Sequence, residues 1–422
     1  MGQTITEKIL AASAGVETVE PGQIVNARLD AVIGHDIGGT AAFRELEKRG
    51  IGRVFDPDKV YITADHFVPS PTLEAAGALK DLTAYMERYG IRHWFPQGQG
   101  GICHALFPER GLVRPGMVIV GADSHTCTYG ALGAFATGMG MTDIFAALAL
   151  GEIWLKVPAS LRFDFRGKLR RRVTGKDLIL FAIGQIGVDG ALYKAMEFTG
   201  EAIRALSMDE RFTVCNMAIE AGAKNGIIAP DAAAAAYLAE RCDEPCPTGL
   251  ASDPDAAYEA SYAWDAAAIP PLVAQPHSPG SIVPAAEAAG VRVDQVVIGS
   301  CTNGRIGDLR AAAEILRGNR VAKGVRLLVF PATQAIYLQA VREGLIEDFI
   351  AAGATIAPPV CGPCLGGHLG LLADGEVAVT TTNRNFPGRM GHKGSRVYLA
   401  SPYTAAAAAV AGCIVDPAEV AA

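Results

Sequence analysis

Short, continuously apolar runs alternate with longer stretches of helical spacing along the chain. Lys59-Val60-Tyr61-Ile62-Thr63 and Met117-Val118-Ile119-Val120-Gly121 have strand length and β-branched content. An apolar centre without polar alternation, as in Val60-Tyr61-Ile62 and Val118-Ile119-Val120, marks strands covered on both faces. Between them, Thr72 to Tyr89 carries apolar residues at helical intervals. Strand, helix, strand in that order predicts a parallel α/β sheet, and such sheets collect chemistry at the carboxyl ends of their strands. A locally basic stretch, Arg162 to Arg172, precedes a helical pattern that runs to Gly187. Asp231, after Pro230, opens an alanine-rich helix reaching Arg241, with the aspartate as N-cap. Ile269 to Pro284, with Pro270, Pro271, Pro276 and Pro279 inside it, reads as a linker. A further α/β unit follows: Gln295-Val296-Val297-Ile298-Gly299 as a strand, Leu309 to Leu316 as a helix, and Val325 to Phe330 and Val377 to Thr382 as strands.

Composition narrows the class. A chain of 422 residues exceeds one ordinary core, so two or three packed domains are expected. Apolar types at 50% and charged types at 19% exclude general disorder. A net charge of −7 gives no footprint for nucleic acid. The start, MGQTITEKIL, has no basic segment followed by an apolar block, so no secretory signal is expected. Its formal fit to an acylation motif lacks any basic support. Gly130 to Gly151 is weakly charged but carries Asp143, and reads as a buried glycine-rich segment, not a membrane span. The expected location is the cytoplasm. Nine cysteines then point to thiols or a metal site, not to a disulfide framework.

Three cysteines have unusual settings. Cys301 follows a strand in Gly299-Ser300-Cys301-Thr302-Asn303, and Cys361-Gly362-Pro363-Cys364 follows Pro358-Pro359. A Cys-x-x-Cys turn lets two thiolates converge on one metal or cluster. A redox pair remains open, and so does zinc with His368 as a fourth ligand. Cys103, Cys127, Cys215, Cys242, Cys246 and Cys413 read as apolar fillers or turn residues. Cys242 and Cys246 are the rival for a second metal site, on a proline-flanked loop.

Two presumed strand ends join Asp to His: Asp65-His66 and Asp123-Ser124-His125. A carboxylate beside an imidazole orients it and raises its pKa. His104 follows the glycine loop Gly98-Gln99-Gly100-Gly101. Asn383-Arg384-Asn385-Phe386-Pro387-Gly388-Arg389 places two arginines on one loop, which suits carboxylate binding. Together these groups describe a site for a polycarboxylate.

Asp123-Ser124-His125-Thr126, Gly299-Ser300-Cys301-Thr302-Asn303, the Cys361–Cys364 turn and the Arg384/Arg389 loop resemble the aconitase superfamily. The resemblance is closest to the large subunits of its two-subunit isopropylmalate isomerase and homoaconitase group. Asp65-His66-Phe67-Val68-Pro69-Ser70 and Asn216-Met217-Ala218-Ile219-Glu220-Ala221 support it, and it extends over nearly the whole chain. It implies an α/β fold of three α/β/α layered domains, 1–160, 161–280 and 281–422, without the family's swivelling fourth domain. It further implies one [4Fe-4S] cluster with three cysteine ligands, Cys301, Cys361 and Cys364. The open iron would act as a Lewis acid on a substrate hydroxyl.

By the same resemblance, His66, oriented by Asp65, would protonate the leaving group. Asp123 and His125 would hold substrate and water, with His104 and Glu220 beside them. Ser124, Asn383, Arg384 and Arg389 would bind substrate, Arg389 clamping a carboxylate. No match for the family's serine base appears before Ala422, so a small-subunit partner would bring it on the swivelling domain. The expected activity is that of a hydro-lyase on a malate-type hydroxy-acid. Isopropylmalate is favoured because leucine synthesis is the commonest role in the group; homocitrate, citramalate-like and dimethylmalate-like acids share the same core. Competing readings are a zinc or thiol structural protein and a nucleic-acid binder. The acidic balance opposes the latter.

Overall fold

A computed structural model describes residues 2–247 and 249–421. Met1, at the head of the acylation match, and Ala422 lie outside them. The chain forms two compact units, 1–165 with 191–264, and 166–190 with 265–422. The stretch 161–280, expected as a middle domain, is thus divided: 191–264 lies in the first unit, and 166–190 lies in the second.

The first unit is built on a five-stranded sheet in the order His93–Phe95, Val60–Thr63, Ala31–His35, Val118–Gly121, Phe135–Gly138. Every pairing in it is parallel. Val60–Thr63 and Val118–Gly121 are buried throughout, as their apolar runs require. The helix Leu73–Arg88 starts where Thr72 accepts the Ala75 N–H and buries Leu82, Tyr85 and Met86, one face at helical spacing. From the central strand Ala31–His35 the chain order runs outward in both directions, so its carboxyl end is a topological switch point.

A second sheet of this unit runs Asn225–Ile227, Ala195–Thr199, Ser160–Arg166, Ala260–Asp265. Asp231 caps the helix Ala232–Ala239 as expected, accepting from Ala233 and Ala234. It also takes a two-pronged ion pair from the buried Arg211 at 2.8 Å on each oxygen. Gly130 to Gly151 is not one buried segment. It holds the strand Phe135–Gly138 and the helix Met141–Leu150, which exposes Met141 and Leu150. Among the described residues, no helix is long and apolar enough to cross a membrane.

The second unit carries a seven-stranded sheet. Its order is Ile282–Pro284, Leu272–Ala274, Arg396–Ala400, Val377–Thr380, Gln295–Ile298, Arg326–Val329, Thr355–Ile356. The last five are parallel. The proline-rich stretch expected as a linker instead contributes the first two, an antiparallel hairpin. Proline survives there because Pro284 lies on the outermost strand, where a missing N–H costs no ladder bond. The helix Gly175–Ile186 closes this unit through a capping box of Thr174 and Asp177.

Candidate active site

In the first unit three neighbouring strands end in chemistry. Ala31–His35 runs directly into Asp36, Val60–Thr63 is followed by Asp65-His66, and Val118–Gly121 by Asp123. The Asp36 carboxylate accepts the N–H groups of Asp65, His66 and Phe67 at 3.1, 3.0 and 2.7 Å. It therefore fixes the backbone that carries His66. Asp65 is fully buried; one oxygen accepts the Cys103 N–H at 2.8 Å, and the other lies 2.6 Å from His66 Nδ1. Burial opposes ionisation of Asp65, but the His66 charge and hydrogen bond outweigh it and hold the carboxyl at about 2. For His66 burial again opposes the charge, and Asp65 overcomes it, raising the ring to about 9. His66 is thus an imidazolium held through Nδ1, with the Nε2 proton left to donate.

Asp123 organises the second cluster. Gly138 makes room for its turn, since a Cβ there would stand 2.9 Å from Ser124 Cα. One Asp123 oxygen accepts the His125 N–H at 2.7 Å and lies 2.7 Å from His104 Nε2. His104 Nδ1 meets the Tyr129 hydroxyl at 3.2 Å, and His125 Nε2 meets Glu220 at 2.7 Å. Burial raises the pKa of Asp123, yet its hydrogen bonds from His104 and His125 drive it well below the carboxylate range. Asn216 donates to Thr128 at 2.8 Å, and Thr128 donates to the His125 carbonyl at 2.6 Å, which fixes that turn. Ser124, beside them in sequence, is solvent-exposed.

The second unit gathers the sulfur and the arginines by the same rule. Neighbouring parallel strands lead to Asn383, Cys301 and Phe330, and the outermost to Cys361. Cys301, Cys361 and Cys364 are all buried, at 4%, 4% and 5% exposure. Asn383 Nδ2 donates to Cys301 Sγ at 3.2 Å, a contact that favours a thiolate. Cys361 and Cys364 share one tight turn with Cα atoms 5.9 Å apart, their sulfurs joined as a disulfide. Reduced, the same turn presents two thiolates side by side. Phe330 underlies both turns: a Cβ on Gly362 would meet its ring at 2.7 Å, and one on Gly299 would strike its carbonyl oxygen. Both glycines also have positive φ, 66° and 139°.

The Arg loop is pinned by Asn385, whose amide donates to the carbonyls of Gln275 and Val397 at 2.8 and 3.1 Å. Arg384 and Arg389 flank it, each half-buried. Beneath, Lys176 is fully buried and donates to the Thr381 and Thr382 carbonyls at 2.7 Å each and to Asn303 at 3.3 Å. It ties the Cys301 turn to the Arg loop. His368 is buried in the same unit.

The structure thus brings Asp65 and His66 together, and His104, Asp123, His125 and Glu220 together, within the first unit. Within the second it brings Cys361 to Cys364 and Asn383 to Cys301. Sequence reasoning missed His35, Asp36, Tyr129, Phe330 and Lys176. Only His35-Asp36 left a signal: a third His/Asp pair after an apolar run, in reversed order.

Parallel sheets with titratable groups and sulfurs at their strand ends define a class, and sequence comparison gives it a name. The aconitase family (aconitate hydratase) matches residues 7–290 and 283–412. The chain belongs to this family. Within it, the chain is 57% identical over 420 residues to the 3-isopropylmalate dehydratase large subunit of Heliobacterium modesticaldum, with 100% of both chains covered. The proteins of the same name from Desulfitobacterium hafniense and Aquifex aeolicus are 55% and 53% identical, covering 100% of this chain and 100% and 98% of their own.

Proposed function

We propose that this chain is the large subunit of a two-subunit hydro-lyase that isomerises isopropylmalate in leucine biosynthesis. The observation that carries this reading is identity of 53–57% along the full length to large subunits of 3-isopropylmalate dehydratase. The cysteine set agrees with it. Cys301, hydrogen-bonded by Asn383, and Cys361 and Cys364, once reduced on their shared turn, are buried soft donors of the kind iron and sulfide take. Cys301, Cys361 and Cys364 would hold a [4Fe-4S] cluster, which supplies Lewis acidity toward a substrate hydroxyl when bound.

The chain's own residues do the rest. His66 keeps its proton at Nε2 and delivers it to the leaving hydroxyl, which departs as water. Asp65 holds the ring, and Asp36 holds the loop beneath it. Asp123, with His104, His125 and Glu220, positions the substrate and the water that re-adds on the neighbouring carbon. Arg389 clamps a substrate carboxylate, and Ser124, Asn383 and Arg384 complete its binding. Loss and regain of water leave the oxidation level unchanged. A small subunit carrying the swivelling domain brings the serine base for the carbon-bound proton. We place the reaction in the cytoplasm, where reducing conditions keep the cluster thiolates intact.

The test is turnover by the anaerobically prepared chain with a small subunit. Isopropylmalate should be converted, and Cys301→Ala should abolish conversion. Turnover of homocitrate or citramalate in its place would replace the substrate. Absence of any hydro-lyase activity would overturn the reading.

A further inference from the structure

His35 ends the central strand of the five-stranded sheet, at the switch point. Its ring is buried, at 5% exposure, and packs 4.3 Å from the His66 ring. Nδ1 accepts the Ile37 N–H at 3.3 Å, so the ring's proton sits on Nε2. Nε2 has no hydrogen-bond partner among the described residues. A buried donor left unpaired forfeits its bond to water without replacement, so its presence here calls for a use.

Its nearest acceptor is Asp123 Oδ2, at 3.9 Å. That gap is too long for a hydrogen bond, and one oxygen can bridge it. The other Asp123 oxygen already serves His104 and the His125 N–H. The Asp123 side chain is 22% exposed, so this corner of the cluster is open to an incoming group. Burial and the neighbouring His66 charge both lower the His35 pKa and keep the ring neutral.

We propose that His35 is a further substrate-contacting residue, whose Nε2–H donates to a hydroxyl oxygen that in turn donates to Asp123. The hydroxyl belongs to the substrate or to the water added in its place. This inference rests on the hydro-lyase reading above. It gives the His66 proton a defined neighbour: the oxygen is gripped from one side by a neutral donor and from the other by a carboxylate, next to the acid.

The experiment uses the complete two-subunit, cluster-loaded enzyme as wild type, His35→Leu and His35→Gln. Glutamine keeps an N–H donor and leucine removes it. Binding of 2-isopropylmalate and of its deoxy counterpart, 2-isopropylsuccinate, is measured by calorimetry, and hydration of 2-isopropylmaleate by rate. If the oxygen is the substrate's, His35→Leu weakens the hydroxy acid roughly tenfold and leaves the deoxy acid within about twofold. If it is water's, both acids bind unchanged and hydration slows by about the same factor. In either case His35→Gln restores most of the loss at an unchanged thermal midpoint. Equal weakening of both acids, failure of glutamine to rescue, or no change in any of the three overturns the inference. Wild-type enzyme that binds neither acid overturns the hydro-lyase reading and the inference with it.

Discussion

The two units present their candidate chemistry by different means. In the first, the working groups are imidazoles and carboxylates that set one another's charge: against the cost of burial, Asp65 is held at about 2 and His66 at about 9 by their opposite charges and a shared hydrogen bond of 2.6 Å. In the second, the working groups are sulfurs and arginines on turns, and what fixes them is backbone. Gly299 and Gly362 fit against Phe330, Asn385 pins the Arg loop to neighbouring carbonyls, and Lys176 binds two turns from below. One unit is tuned by charge and the other is framed by shape. The first should therefore answer to pH, and the second to packing.

Lys176→Met gives the larger effect expected. It leaves two main-chain carbonyls and Asn303 without their ammonium partner in a fully buried setting. Stability should fall by about 2–4 kcal/mol, measured by denaturant unfolding. Alkylation of Cys301 in the cluster-free protein should quicken, because Asn303 and Thr382 flank the Cys301 turn and the Asn383 contact. A loss that varied strongly between neutral and mildly alkaline pH would break the comparison, since it would make this side of the molecule charge-tuned as well.

Asp65→Asn gives the smaller effect, full between about pH 4 and 6.5 and fading in the window on either side. The folded pKa of Asp65 lies below its unfolded value near 4, so its contribution is present above that pH and is lost as pH falls toward about 2. His66 is raised from 6.5 to about 9, so its contribution is complete below 6.5 and is lost as pH rises toward 9. Removing the carboxylate should flatten the stability curve in both windows and move the alkaline limb of the rate profile down toward neutrality. Unfolding curves and kcat followed against pH check both; an unmoved alkaline limb would separate His66 from the acid role.

Much of this was legible in the sequence, and the exceptions share a cause. Val60–Thr63 and Val118–Gly121 stood out because a strand buried on both faces must be continuously apolar. The Leu73–Arg88 helix stood out through its Thr72 cap and its stripe of buried residues. The cysteines and the Asp65-His66 and Asp123–His125 pairs were visible because few other uses need those types so close together. Lys176 was not, because a lysine in the first turn of a capped helix reads as solvated, and the carbonyls that bury it lie more than 200 residues on in the chain. Phe330 looked like the end of an ordinary strand, and its contact with Gly362 exists only once the sheet has formed. The prolines of Ile269 to Pro284 suggested a linker because a sequence does not say which strand will be outermost. His35 and Asp36 escaped through their reversed order and the glycines that follow.

The most direct test is iron and acid-labile sulfide content, with the visible absorption spectrum, of anaerobically purified wild type and His66→Asn. The account predicts iron and sulfide in near-equal amounts and broad visible absorption in both. Turnover with the small subunit should fall by about 10²–10⁴-fold only in His66→Asn. Zinc without sulfide in the wild type, or a cluster lost with His66 alone, would contradict it.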